Sequence, residues 1–215
     1  MVSNVSTFAS NVSVPYYSGS SDNGFTRFID KQIWTRFKHL VWIPKVTIAH
    51  ALDGINACLW GSVSILTFGT TNNVNQHAVE FFKSTAKIAP DLFAGVIKVI
   101  NPDAKIERHH DSGAFYEFFE KIFRVSDALA SNRNNWIERN VFARIGFAAS
   151  AVVAVVTRVV DAVIGVFGLI GALCAFGNSQ YCNDIAYAGL HITALPGDLY
   201  ECLVKVINPQ ASFYS

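Results

Sequence analysis

The segment VIKVINPDAKI at residues 96–106 returns as LVKVINPQASF at 203–213. A chain that writes one ending twice is most simply a chain that folds one unit twice, and the match reaches well beyond the ending. Shifted by 108 residues, HALDGINACLWGSVSILTFG (50–69) falls on RVVDAVIGVFGLIGALCAFG (158–177). That shift places Asp53 on Asp161, Phe68 on Phe176, Gly69 on Gly177, Arg36 on Arg144 and Asn75 on Asn183. After one residue is lost in a loop, Asp91 falls on Asp198 and Ala104 on Ala211. Coincidence is a poor explanation for spacing kept over so long a stretch with one gap, so the units run roughly 36–106 and 144–213.

Each unit reads as three helices. The first is long and apolar and ends at Phe-Gly, where glycine suits the left-handed position that closes a helix. The second follows a polar stretch, TTNN or NSQ. The third begins at Pro90-Asp91 or Pro196-Gly197-Asp198, a proline and an acidic residue at a helix start. It ends at Asn-Pro, because the residue before proline is pushed out of the helical region. KVINP is therefore a last helical turn with its stop. Between the units, Phe115, Phe118, Phe119, Ile122, Phe123 and Val125 have helical spacing with a wide apolar face. Pro44 predicts a break or kink in the first long helix.

The expected fold is all-α: two tandem three-helix repeats joined by an aromatic-rich amphipathic helix, behind a disordered N-terminal tail. Residues 1–24 are the Ser-rich tail, 25–107 the first unit with its leading helix, and 108–215 the second with its own. The tail carries no Lys or Arg and no apolar run of signal-peptide length, so no secretory signal is read. It is expected to pack against nothing.

Composition narrows the function classes. Charged residues make up 15% and apolar residues 51% of the chain, against about 25% charged in a typical soluble domain. The net charge of +1 offers no basic field for nucleic acid. Cys58, Cys174, Cys182 and Cys202 have no metal-site spacing. The uncharged run 162–177 spans about 24 Å as a helix, short of a hydrocarbon core of about 30 Å. Its counterpart in the first unit is more polar. A buried core helix is therefore the expectation for this run, with insertion of 145–177 in a membrane as the alternative.

Two clusters invite chemistry. Glu107, His109, His110 and Asp111 are metal-ligating types, but adjacent residues do not share a helical face and the cluster follows a helix stop, so it reads as a polar linker. His50 with Asp53, and Arg158 with Asp161, place a base and an acid three residues apart in the most apolar helix of each unit. A pair that recurs in both units reads as a buried structural ion pair, with Arg36 and Arg144 as alternative partners for the aspartates. No catalytic, cofactor-binding or metal-binding residue is expected.

The order [RH]-x-x-D-[AG], then [TA]-x-G, N-x-x-A, P-x-D-L and INP-x-A resembles uncharacterised two-repeat helical proteins of chlamydia-type obligate intracellular bacteria. It is carried here by His50/Asp53 and Arg158/Asp161, by Gly69 and Gly177, and by both INP segments. No activity attaches to that set, so the resemblance implies a context rather than a chemistry. The basic-free Ser/Asn-rich tail looks like the address of proteins exported by a type III apparatus. The expectation is a non-enzymatic helical interaction protein, a bacterial effector that is cytoplasmic or delivered to a host cell without a Sec signal. Its expected partners are another protein, a membrane surface or a second copy of the chain. A membrane protein is the alternative and a hydrolase-type enzyme the third reading.

Overall fold

The structure, a computed structural model, describes residues 6–15, 24–106, 113, 115–132 and 135–213. Among these residues every regular element is helical, as an all-α chain requires. The cluster Glu107, His109, His110 and Asp111 lies outside the described residues.

Two helices of equal length set the frame. α1 (Gly24–Ile29) runs through a π-helical segment, Asp30–Trp34, into α2 (Thr35–Leu66), which is 32 residues long. α3 (Asn72–Ala86) and α4 (Ile88–Ile100) follow. α5 (Tyr116–Ser131) precedes a second π-helical segment, Glu138–Phe142, and α6 (Ala143–Cys174), also 32 residues long. α7 (Gln180–Gly189), a 3-10 segment Leu190–Ala194 and α8 (Leu195–Ile207) complete the chain. Pro44 does not end α2. It sits on the exposed side of a helix anchored along its length, and one missing backbone hydrogen bond is not enough to break it.

Each long helix closes on a left-handed Phe-Gly pair. Phe68 and Gly69 have φ of 53° and 64°, and Phe176 and Gly177 have 49° and 71°. Glycine takes this conformation freely, whereas a phenylalanine pays roughly 1–2 kcal/mol. The freed ends are sealed alike: Asn75 donates to the Gly69 carbonyl and Asn183 to the Gly177 carbonyl, both at 2.9 Å.

The chain then doubles back. α3 and α4 run end to end antiparallel to α2, with Gly61 against Phe82, Gly54 against Thr85, His50 against Asp91 and Gly95 against Ile43. α7 and α8 return along α6 in the same way, from Gly171 against Cys182 through Gly165 against Gly189 to Arg158 against Asp198. Each half is thus a hairpin whose return arm is broken midway. The two return arms pack on each other, α3 on α8 and α4 on α7. They run antiparallel, so α2 and α6 are antiparallel as well and lie on the outer sides.

The Asn-Pro ends of the return arms are the clasp between halves. Asn101 and Asn208 turn extended, with φ of −132° and −130°. A Cβ on Gly177 would meet Ile97, Ala104 and Asn101, and one on Gly69 would meet Val204, Ala211 and Asn208. Each INP-x-A segment therefore covers the long-helix end of the other half.

The long helices turn their faces the opposite way from a soluble core helix. The buried stripe of α6 is Ala143, Phe147, Ser150, Ala154, Thr157/Arg158, Asp161, Gly165, Gly168 and Ala172, spaced three and four apart. That of α2 includes His39, Trp42, Ala49, His50, Asp53, Ala57, Gly61 and Ser64. The large aliphatic side chains point outward, among them Ile48, Leu52, Ile55, Leu59 and Val63 on α2, and Val152, Val156, Val159, Val163 and Phe167 on α6. The helix running Glu138–Cys174 is long and apolar enough to cross a membrane, yet only 33% of its apolar window is buried. The buried core helix expected for 162–177 is thereby corrected: small and charged residues face the return arm, which leaves the bulky ones exposed.

The tail expectation is corrected too. Ala9–Asn11 form a 3-10 turn, and the amides of Phe8 and Ala9 bind the Asp53 carboxylate. This is the place that the start of α5 takes in the second half, so residues 6–15 belong to the fold.

Candidate functional site: two mirrored charge centres in one cleft

The centres form where each return arm breaks. In the first half, His50 projects from α2 and its Nε2 lies 3.0 Å from Oδ2 of Asp91, at the start of α4. Its Nδ1 lies 3.3 Å from the Ser84 hydroxyl on α3. Ser84 donates to Asp53 Oδ2 at 2.5 Å, while Phe8 N–H reaches Oδ1 at 2.7 Å and Ala9 N–H reaches Oδ2 at 3.0 Å. Asp53 is fully buried, and three donors converge on it.

In the second half, Arg158 Nε donates to Asp198 Oδ2 at 2.8 Å. Tyr116 donates to Asp198 Oδ1 at 3.1 Å, and its ring lies 3.7 Å from the guanidinium. Asp161 Oδ1 accepts the Phe115 amide at 3.1 Å, while its buried Oδ2 has no hydrogen-bond partner among the described residues. His191 occupies the position of Ser84 and packs edge-on against Tyr187. Burial pushes the Asp198 carboxyl up from its ordinary value, and Arg158 and Tyr116 pull against that. Burial first, then the neighbouring Asp198, pushes the Tyr116 hydroxyl up.

The geometry reassigns the ion pairs. His50 pairs with Asp91, not Asp53, and Arg158 pairs with Asp198, not Asp161. Base and acid three residues apart on one helix both face the return arm, and the return arm supplies the base's partner. Each helical aspartate instead holds the backbone of the segment that leads into its half. Arg36 donates to the Ile100 carbonyl at 3.2 Å, and Arg144 is exposed; neither pairs with Asp53 or Asp161. Sequence reasoning missed Ser84, Asp91, Tyr116, His191 and Asp198 as members of the centres. The signal for Asp91 and Asp198 was present, since both recur at corresponding positions, but a helix start explained them too readily.

Both centres line one open cleft of about 840 Å³ between the halves, whose lining also carries Glu80 and Lys83 from α3, Lys87 from the junction of α3 and α4, and Glu120 from α5. Ser84, His50 and Asp91 have the residue types of a nucleophile, a base and its orienting acid. The shorter contact of Ser84, however, is the one to Asp53 at 2.5 Å, against 3.3 Å to His50 Nδ1. Among the described residues no three His, Cys, Asp or Glu side chains gather as a metal would require. Burial pushes the Cys202 thiol up to about 12, which makes it an inert core residue. No family model, curated protein or solved structure matches this chain.

Proposed function

We propose that the chain is a duplicated hairpin unit acting as a non-enzymatic interaction protein, with the outer faces of α2 and α6 as its binding surfaces. The observation that carries this reading is the inversion of the long helices: beyond Lys45 on α2 and Arg144 on α6 their only charged residues, Asp53, Arg158 and Asp161, turn inside, while bulky apolar side chains cover the outside. An exposed apolar face of this extent marks a contact surface. The charge centres fit the same reading. Each ties a long helix to its return arm and to the segment leading into its half, a structural task that two corresponding sites perform with different bases. Export from a bacterium remains part of the proposal, resting on the composition of the tail.

A photoreactive residue placed at Ile55 or Val163 in the expressing cell should give abundant adducts, and one placed at Glu80 far fewer. Equally low yields at all three positions would remove the proposal.

A further inference from the structure

Resting on that reading, we propose that the partner of the two outer faces is the hydrocarbon of a lipid bilayer. The first argument is length. Between Lys45 and the end of α2 the only Asp, Glu, Lys or Arg is Asp53, which is fully buried. The exposed face of α2 from Ile48 to Leu66 is uncharged over about 27 Å at 1.5 Å per residue, close to the thickness of a hydrocarbon core of about 30 Å. On α6 the exposed face is uncharged from Ile145 to Phe176, since Arg158 and Asp161 both turn inward.

The second argument is what borders these faces. Trp34 and Phe37 lie exposed beside Arg36 and Lys38 at the start of α2, and Trp136 and Phe142 lie exposed near Arg144 at the start of α6. Aromatic and basic residues together are the mark of a membrane–water boundary. Because the helices are antiparallel, both ends of the molecule carry such a border.

The third argument is how the interior is held. Water drives large aliphatic side chains inward; lipid does not, and helices in lipid associate through small residues and polar contacts. Here Gly165 approaches so close to Gly189 that a Cβ would lie 2.6 Å from the Gly189 Cα. Beside that contact the half is fastened by the pair Arg158–Asp198. The charges that the outer faces lack sit around the cleft between the halves.

The chain provides its own reporter, because Cys58 is exposed on α2 midway along the uncharged face. The experiment uses the unmodified full chain, with fractionation, alkaline carbonate extraction and peptide-resolved labelling by a hydrophilic maleimide. Labelling is compared in phosphatidylcholine vesicles, in detergent and without either. The proposal expects the chain in the carbonate-resistant membrane fraction, with Cys58 labelled at least tenfold more slowly in vesicles than after denaturation. A chain that is soluble without detergent, and whose Cys58 is protected only as protein concentration rises, overturns the lipid assignment while the binding-face reading survives with a second copy as partner. A soluble monomer whose Cys58 labels at the same rate with and without vesicles overturns both.

Discussion

The two halves solve one problem with different bases. Each must fasten a long helix to a return arm broken beside it, and each does so with a basic side chain on the long helix facing an aspartate at the start of the last helix. The second half uses Arg158, which is always charged, is held by Asp198 and is covered by the Tyr116 ring. The first half uses His50, a smaller group that touches Asp91 and Ser84 in a lattice of hydrogen bonds centred on Asp53. The second half leads from its Asp161 contact into the helix α5; in the first, residues 9–11 beside the Asp53 contact form a 3-10 turn. One frame thus tolerates a strong point-to-point ion pair or a distributed network, because the frame itself is set by the long helices and their glycine-lined contacts.

The sharpest test of this contrast is a pair of double-mutant cycles read by chemical denaturation. Arg158→Ala and Asp198→Ala should each cost about 3–5 kcal/mol, since each strands a buried charge, and the double variant should cost much less than their sum. Arg158→Ala with Asp161→Ala should be close to additive. In the first half, His50→Ala and Asp91→Ala should cost less, about 1.5–3 kcal/mol each. A coupling between Arg158 and Asp161 larger than that between Arg158 and Asp198 would return the pairing to the one expected from helix spacing.

Next in size are the glycine contacts. A methyl on Gly165 would lie against the Gly189 backbone, which has no flexible end to move, so Gly165→Ala should cost about 1–3 kcal/mol through overpacking. In the first half, a Cβ on Gly54 meets Thr85 at an ordinary 3.4 Å. Gly54→Ala should be neutral or stabilise by up to about 1 kcal/mol through helix propensity. Equal costs at both positions would mean that the halves are packed alike.

The N-terminal segment comes third. Deleting residues 1–15 removes two backbone donors from Asp53 and leaves Ser84 alone to satisfy it. The loss should be about 1–2 kcal/mol, and it should shrink when Asp53 is already Asn. A truncation that leaves the denaturation midpoint unchanged would restore the view of this segment as an idle tail.

How much of this was legible follows from what each residue does. Gly69 and Gly177, Asn101 and Asn208, and the pairs Asp53/Asp161 and Asp91/Asp198 announce themselves by recurrence, because each meets a local steric or electrostatic demand at a fixed place in the unit. The long helices, the α5 segment and the Asn-Pro stops were readable for the same reason. The direction of the helix faces was not. A hydrophobic-in rule reads Val156, Val163 and Phe167 as core, and here, beyond Phe147, the buried stripe of α6 is made of small, hydroxyl and charged residues. The role of Phe8 was also hidden, because it acts through its backbone amide, and any residue supplies one. The matching amide at Phe115 lies 107 residues on, within a helix start that otherwise shares little with residues 6–15.

The smallest expected effect on stability tests the faces on which the functional reading rests. Ile55 and Val163 occupy corresponding positions on α2 and α6 and are 59% and 54% exposed, so neither supports the fold from within. Aspartate at either position meets no packed neighbour that it could displace. In detergent, Ile55→Asp and Val163→Asp should each change stability by less than about 0.5 kcal/mol. In a membrane the same carboxylate would face hydrocarbon near the middle of an uncharged stretch, at a cost of about 2.5–3.5 kcal/mol on insertion scales. The membrane-bound fraction should therefore drop more than tenfold, and the two substitutions should act alike, because both residues are about half exposed on the uncharged face of a long helix. If only Val163→Asp releases the chain, α6 alone meets lipid and the halves have diverged in task as well as in chemistry. If both variants unfold in detergent, the faces are buried in an assembly of the chain with itself, and the comparison of the halves has to be drawn again around that interface.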